Sequence, residues 1–404
     1  MLIPQLALFR LADFRRLATS VVLNSVGMMG EVVVLGWLAL EITSSPFLVG
    51  VALGMRALPL FLVGVPAGVL ADRFPRHRLL QMTGAGQALA TAALGALALS
   101  GRVGLAYLLL LTFAAGVIRA VEWAARQSYT HDVVGAPALL NAFAALGVAM
   151  RAGWLLGSLG AGVVIAHLGA GAAYLAVAVS FLAGAAALLP ASARAGRTPP
   201  APGSVWRSVV GFVTAMRTDR VFPGLMLLTA GAEILGFSHQ ALLPSLARDV
   251  LGVGPEGLGA LNAARAVGGI LGLALVSSRG SARGGGTLFL AVLLGFGASL
   301  VGLGLAPRFV ELTGVVVVLV AVNALGALSD LLSQSLMQLS VPDHLRGRAG
   351  GAWVVAIGLA PLGQLQIGAL ASAFGVSVAL GASGVALVAL AGAAALLFPR
   401  MRRL

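Results

Sequence analysis

Four arginines, Arg56, Arg119, Arg151 and Arg265, and four acids, Glu31, Glu122, Glu233 and Asp330, stand inside long apolar runs of this chain. A charge in such surroundings is costly unless it meets a partner, so each is a candidate for pairing, for carrying a proton or for holding a charged ligand. Glu31 lies deep in the first apolar run, at a depth that suits a proton or a substrate group, and Glu233 holds a comparable place in a later one. Arg119 and Glu122 are spaced to pair on one helical face. Trp154, three residues after Arg151, suits either the wall of an amphiphile pocket or an interfacial anchor. These residues, Glu31, Arg56, Arg119, Arg151, Trp154, Glu233 and Arg265, form the candidate substrate- and proton-binding set.

The chemistry the chain lacks is as informative. All 26 basic residues are arginine, so no phosphate-binding loop that needs a lysine exists, and no ATP motor of that kind is built in. Without cysteine there is no disulfide, thiol nucleophile or thiolate metal site. The five histidines are scattered, with no metalloprotease spacing, and no hydrolase elbow occurs. Gly252 to Gly257 fits a dinucleotide fingerprint by letter, but it falls in a loop with no strand before it, so no cofactor is expected.

The elements that must position these charges are helices in lipid. Of the 404 residues 59% are hydrophobic and 10% charged, and apolar runs of membrane-spanning length recur along the chain. Runs and breaks predict helices at 18–41, 47–70, 79–100, 104–126, 139–166 and 171–190, then 221–246, 257–278, 287–306, 310–333, 349–373 and 377–398. Residues 191–220, with Pro199, Pro200, Pro202 and five arginines, read as a cytoplasmic linker. The expected fold is an all-α integral membrane protein of twelve transmembrane helices in two six-helix bundles, 1–190 and 221–404. The first helix is expected to stay uncleaved, because no small-residue cleavage site follows a short apolar stretch.

With the N-terminus inside, 19 arginines fall at cytoplasmic ends and 3 outside, which places both termini in the cytoplasm. The net charge of +13 therefore sorts by membrane side and does not call for nucleic acid. The halves repeat weakly: Gly50 to Arg56 matches Gly259 to Arg265, and Gln127-Ser128 matches Gln334-Ser335, at offsets of 209 and 207 residues. Arg56 and Arg265 thus hold equivalent places, which suggests a paired role where the halves meet.

The loop between the second and third helices carries Gly68-Val-Leu-Ala-Asp72-Arg73-Phe-Pro75-Arg76-His77-Arg78. This resembles the G-x-x-x-D-R-x-G-R-R signature of the major facilitator superfamily, with Pro75 and His77 departing from it. In this resemblance Gly68, Asp72, Arg73 and Arg76 form a conformational switch, with Asp72 at a helix end and the arginines within reach of an acid such as Glu122. Glu122 and Asp330, which lies near the cytoplasmic end of the tenth helix, suit structural or gating roles beside it. Gly153 to Gly162 is similar to that superfamily's antiporter motif, with Ser158 in place of the proline; small residues at this spacing also serve close helix packing. Asp13-Phe-Arg-Arg16, Gly30-Glu31, Ala125-Arg-Gln127, Asn141 and Arg346-Gly-Arg348 resemble the branch of enterobactin exporters and macrolide efflux proteins.

The resemblance implies a secondary transporter in a bacterial inner membrane, coupled to protons, exporting a small amphiphile such as a drug or siderophore, and no enzyme. An importer or a transport-silent membrane sensor on the same scaffold remains open on the residues alone.

Overall fold

The computed structural model describes residues 8–190, 221–277, 285–341 and 346–403, and every regular element among them is helical. The linker 191–220 and the side chains of Gly68 and Asp72 lie outside the described residues. Among the described residues eleven helices are long and apolar enough to cross a membrane. One of them, Asn141–Ala186, has 46 residues. At ~1.5 Å per residue it is more than twice as long as a ~30 Å hydrocarbon core is thick. It is broken at Gly169, whose φ of 81° and ψ of 169° only glycine adopts without strain.

Counting that break, the helices are α1 (Ala12–Thr43), α2 (Pro46–Arg73), α3 (Arg76–Leu99), α4 (Leu105–Val134), α5 (139–168) and α6 (170–186). After the linker come α7 (Val221–Val250), α8 (Pro255–Ser277), α9 (Gly285–Leu305), α10 (Leu312–Leu339), α11 (346–374) and α12 (Val376–Leu397). Two helices are irregular. α11 breaks between Ile357 and Ala360, ahead of Pro361, which cannot donate to the ladder. α7 passes from an α-helix through a π turn at Ala232–Gly236 and a 3-10 stretch at Phe237–Leu242 to a second π turn at Leu246–Val250. Broken backbone at membrane depth is tolerated where other protein covers it, and α7 packs under α11 with Gly363 against Ile234.

Small residues set the helix pairings. Gly153 and Gly157 of α5 lie against Val22, Ser25 and Val26 of α1; Gly116 of α4 lies on Arg56 and Pro59 of α2; Gly84 and Gly95 of α3 face Ala185 and Leu175 of α6. The later helices repeat these pairings: α7 with α11, α8 with α10 through Gly268 and Gly272, and α9 with α12 through Gly297 and Gly384. Close approach of backbones takes the place of the hydrophobic effect, which drives nothing between helices already in oil.

The first six helices meet the last six mainly along α5 with α8 and α2 with α11. These contacts gather at the ends remote from the chain termini, here called the distal face. There a Cβ on Gly259 would stand 2.7 Å from the Ser158 carbonyl oxygen and 3.2 Å from Gly162, so α5 and α8 touch backbone to backbone. Phe47 N–H donates to Ser372 Oγ at 3.1 Å, and Arg248 Nη1 donates to the Leu40 carbonyl at 3.0 Å. Towards the termini, here the proximal face, Phe143 and Val148 of α5 and Val354 and Val355 of α11 are exposed, and a Cβ on Gly147 or Gly351 would meet no other helix within 4 Å. The closest backbone approaches between the halves therefore lie at the distal end.

Candidate functional site

Three of the charges forecast from sequence converge. Glu31 on α1 is 2% exposed. It accepts a hydrogen bond from Arg119 Nη2 of α4 and pairs with Arg56 Nε of α2 at 3.5 Å. Arg56 also donates from Nη2 to the Met28 carbonyl at 3.2 Å. Tyr174 of α6, fully buried and with no hydrogen bond to its hydroxyl, lies within electrostatic reach of Glu31 and Arg56. One carboxylate thus serves two guanidiniums, and the cluster keeps one surplus positive charge.

The pairing differs from the one spacing suggests. Arg119 turns to Glu31, 88 residues away, and Glu122 pairs instead with Arg126 at 3.4 Å, one turn further along α4. The cause is the α1 to α4 crossing, which offers Arg119 a buried acid that the helix surface does not. Arg76 is likewise directed elsewhere than Glu122: it pairs with Asp132 at 2.5 Å and donates to the Ser128 carbonyl at 3.4 Å. Asp132 lies on α4 because that helix runs to Val134, beyond the predicted end at 126. Arg73 is exposed.

In the second half the charges are kept apart. Glu233 of α7 and Asp330 of α10 line one small cavity of about 10 Å³ with Thr229, Ser329 and Ser333, and lie within electrostatic reach of each other. No ion pair joins either to a base among the described residues. Asp330 is not at the helix end: α10 continues to Leu339. Arg151 of α5 reaches across from the first half, lying against Gly269 of α8, 5.8 Å from the Trp154 ring centre and within electrostatic reach of Asp330. The Trp154 indole N–H is buried without a hydrogen-bond partner.

Arg265 of α8 faces its own half. Its Nη1 donates to Asn262 Oδ1 at 2.8 Å, and His239 of α7 lies within electrostatic reach. No hydrogen bond or ion pair connects Arg265 to Arg56. His239 is fully buried, with Nδ1 at 2.7 Å from the Gly236 carbonyl and Nε2 at 3.4 Å from Asn323 Nδ2. Those partners fit a neutral ring: Nδ1–H donates, Nε2 accepts. Sequence reasoning passed over Tyr174, His239, Asn262 and Asn323; for His239 a usable signal was its place in the repeat, 208 residues after Glu31. Among the described residues no group of His and acids could hold a metal ion.

Buried, partly compensated charges inside a helical membrane bundle whose two sets of six helices repeat the same pairings and meet most closely at one end define a transporter of the major facilitator type. The solved inward-facing, occupied structure of a bacterial homologue of the human lysosomal transporter Spinster has the same fold: TM-score 0.73 at 17% identity, over 96% of this chain and 97% of that one.

Relatives in sequence narrow the class. The profile of the transmembrane secretion effector family matches residues 3–404, and the chain belongs to that family. A staphyloferrin A transporter from Staphylococcus aureus is 24% identical over 87% of both chains. The enterobactin exporter EntS of Shigella boydii is 30% identical over 80% of this chain and 78% of its own.

Proposed function

We propose that this protein exports a small siderophore-like molecule, driven by protons, through alternating access between two six-helix halves, 1–190 and 221–404. On this reading α5 and α6 cross separately, which makes twelve crossings. The proximal face is cytoplasmic, because 19 arginines gather on that side against 3 on the other. The membrane is then the bacterial plasma membrane, with both termini inside and 191–220 as a cytoplasmic tether.

The observation that carries the proposal is the Glu31–Arg56–Arg119 cluster at the depth where the close distal contacts begin. Transport by rocking requires a site that faces one side at a time, and a ligand can drive the change only by binding the two states unequally. Outward movement also requires an energy input, and protons need an acid that can take one. Glu31 is badly placed for this, since neutralising it would leave two guanidiniums facing each other without an acid. Glu233 and Asp330 owe nothing of the kind: two carboxyls share a hydroxyl-lined cavity, with Arg151 of the opposite half near Asp330. The proton role first suggested for Glu31 therefore falls to this pair, and Glu31 becomes the counter-charge of the cluster.

The test is reconstitution in proteoliposomes with an imposed pH gradient and a panel of siderophores and amphiphilic drugs. Substrate-dependent proton movement against substrate flux supports the reading. Substrate binding with no flux in either direction under any gradient would make the chain a sensor instead.

A further inference from the structure

The charged centres of the two halves are built on one plan with one substitution. Arg56 and Arg265 are related by 209 residues, and Glu31 and His239 by 208, the same repeat within one position. The helices agree with that count, since α1 packs beside α2 as α7 packs beside α8. In the first half the arginine meets a carboxylate at 3.5 Å. In the second half the corresponding arginine has an imidazole within electrostatic reach, and the two ring nitrogens are already engaged by Gly236 and Asn323.

Arg265 is consequently left with no acid among the described residues. A guanidinium in that setting is expensive unless something anionic comes to it. Asn262 does not neutralise it but does orient it: Asn262 Nδ2 donates to the Leu258 carbonyl at 3.1 Å, and its Oδ1 accepts from Arg265 Nη1. That fixes one arm and leaves the opposite edge, Nε with Nη2, unused. Nε is enclosed without a hydrogen-bond partner, although the residue as a whole keeps partial exposure. The Nε–Nη2 edge is the one that takes two oxygens of a carboxylate in parallel hydrogen bonds.

We infer that Arg265, held by Asn262, binds a carboxylate of the transported molecule, which supplies the negative charge that Glu31 supplies to Arg56. The inference rests on the reading of the protein as a carrier of siderophore-like molecules and names the chemistry of the cargo. His239 is a positioning residue here: by being neutral where the first half has an acid, it keeps the site vacant for the ligand.

The test uses the full chain in phosphatidylcholine nanodiscs, with binding of citrate and of 2,3-dihydroxybenzoate measured by calorimetry and by the shift in unfolding temperature. Wild type should bind at least one of the two, more tightly than inorganic phosphate or the corresponding neutral amide. Arg265→Gln should weaken binding tenfold or more. His239→Glu should do the same while keeping Arg265 and leaving the unliganded protein as stable as wild type or more so, because it installs the missing acid. Undiminished affinity in His239→Glu or in Arg265→Gln would overturn the inference. So would equal binding of phosphate, or stabilisation by phosphatidylglycerol alone with no response to either organic anion, which would assign the site to a free ion or a lipid headgroup. Loss of anion binding in these variants together with a chain that never moves substrate would leave the site standing and refute the transport reading alone.

Discussion

Replacing Glu31 by glutamine keeps the shape of the side chain and removes the one negative charge in a cluster of two positive ones. In the native arrangement the three side chains sum to one positive charge; in Glu31→Gln they sum to two, with both guanidiniums in place. Breaking a buried ion pair by deleting one partner costs about 3 to 5 kcal/mol. The arginine side chains keep 16% and 14% exposure, so water carries part of the load and the lower end of that range applies. Reversible unfolding in mixed micelles, followed by tryptophan fluorescence, should therefore show a loss of about 3 kcal/mol, roughly a hundredfold in the folding equilibrium. The discriminating variant is Glu31→Gln with Arg119→Gln, which returns the sum to one. It should be more stable than Glu31→Gln alone. If the double variant instead loses the sum of the two single losses to within about 0.5 kcal/mol, the residues are not coupled and the cluster does not act as a unit.

Glu233→Gln and Asp330→Asn should each abolish pH-driven uphill transport while leaving downhill exchange of substrate; retention of the native proton stoichiometry in both would remove the pair from the coupling step. Gly259→Val should push α8 from α5 where the halves meet most closely, and thiol labelling of a cysteine placed at Ser372 should accelerate severalfold from the distal side; an unchanged rate would mean that the halves are held together elsewhere. Because the native chain has no cysteine, single cysteines at Ser204 and Gly101 should react with impermeant reagents from opposite faces, and labelling of both from one face would break the proposed topology.

The helices were legible because lipid imposes a simple rule, apolar runs of sufficient length separated by polar breaks. The predicted gap between 166 and 171 contains the break found at Gly169. Hydropathy says nothing, however, about how a helix is wound. The π and 3-10 turns of α7 lie where α11 packs on it, Gly363 against Ile234, and where Phe296 of α9 comes close to Gly236 and Gly36 of α1 to Pro244, none of which a hydropathy window contains. Charges could be located but not paired. Spacing along one helix suggested Arg119 with Glu122, yet the stronger partner came from the crossing with α1, which no local window contains. Asp132 escaped notice for the opposite reason, because α4 continues eight residues past the last strongly apolar stretch into a segment that reads as loop.

The difference between the halves has a consequence for how a rocking carrier chooses its state. A cluster that carries its own counter-charge, as Glu31 does for Arg56 and Arg119, travels with one half as a body and is little affected by which face is open. Arg265 has no such independence. On the reading proposed here its neutralisation depends on whether the cargo is present, and the cargo sits in the cavity that opening and closing reshape. Closing the proximal side around an occupied Arg265 buries a neutral pair, whereas closing it around an empty one buries a charge. A difference between those two costs is what a ligand needs in order to bias the equilibrium. The half that carries its own acid then serves as the frame, and the half with the missing acid is where binding is converted into motion.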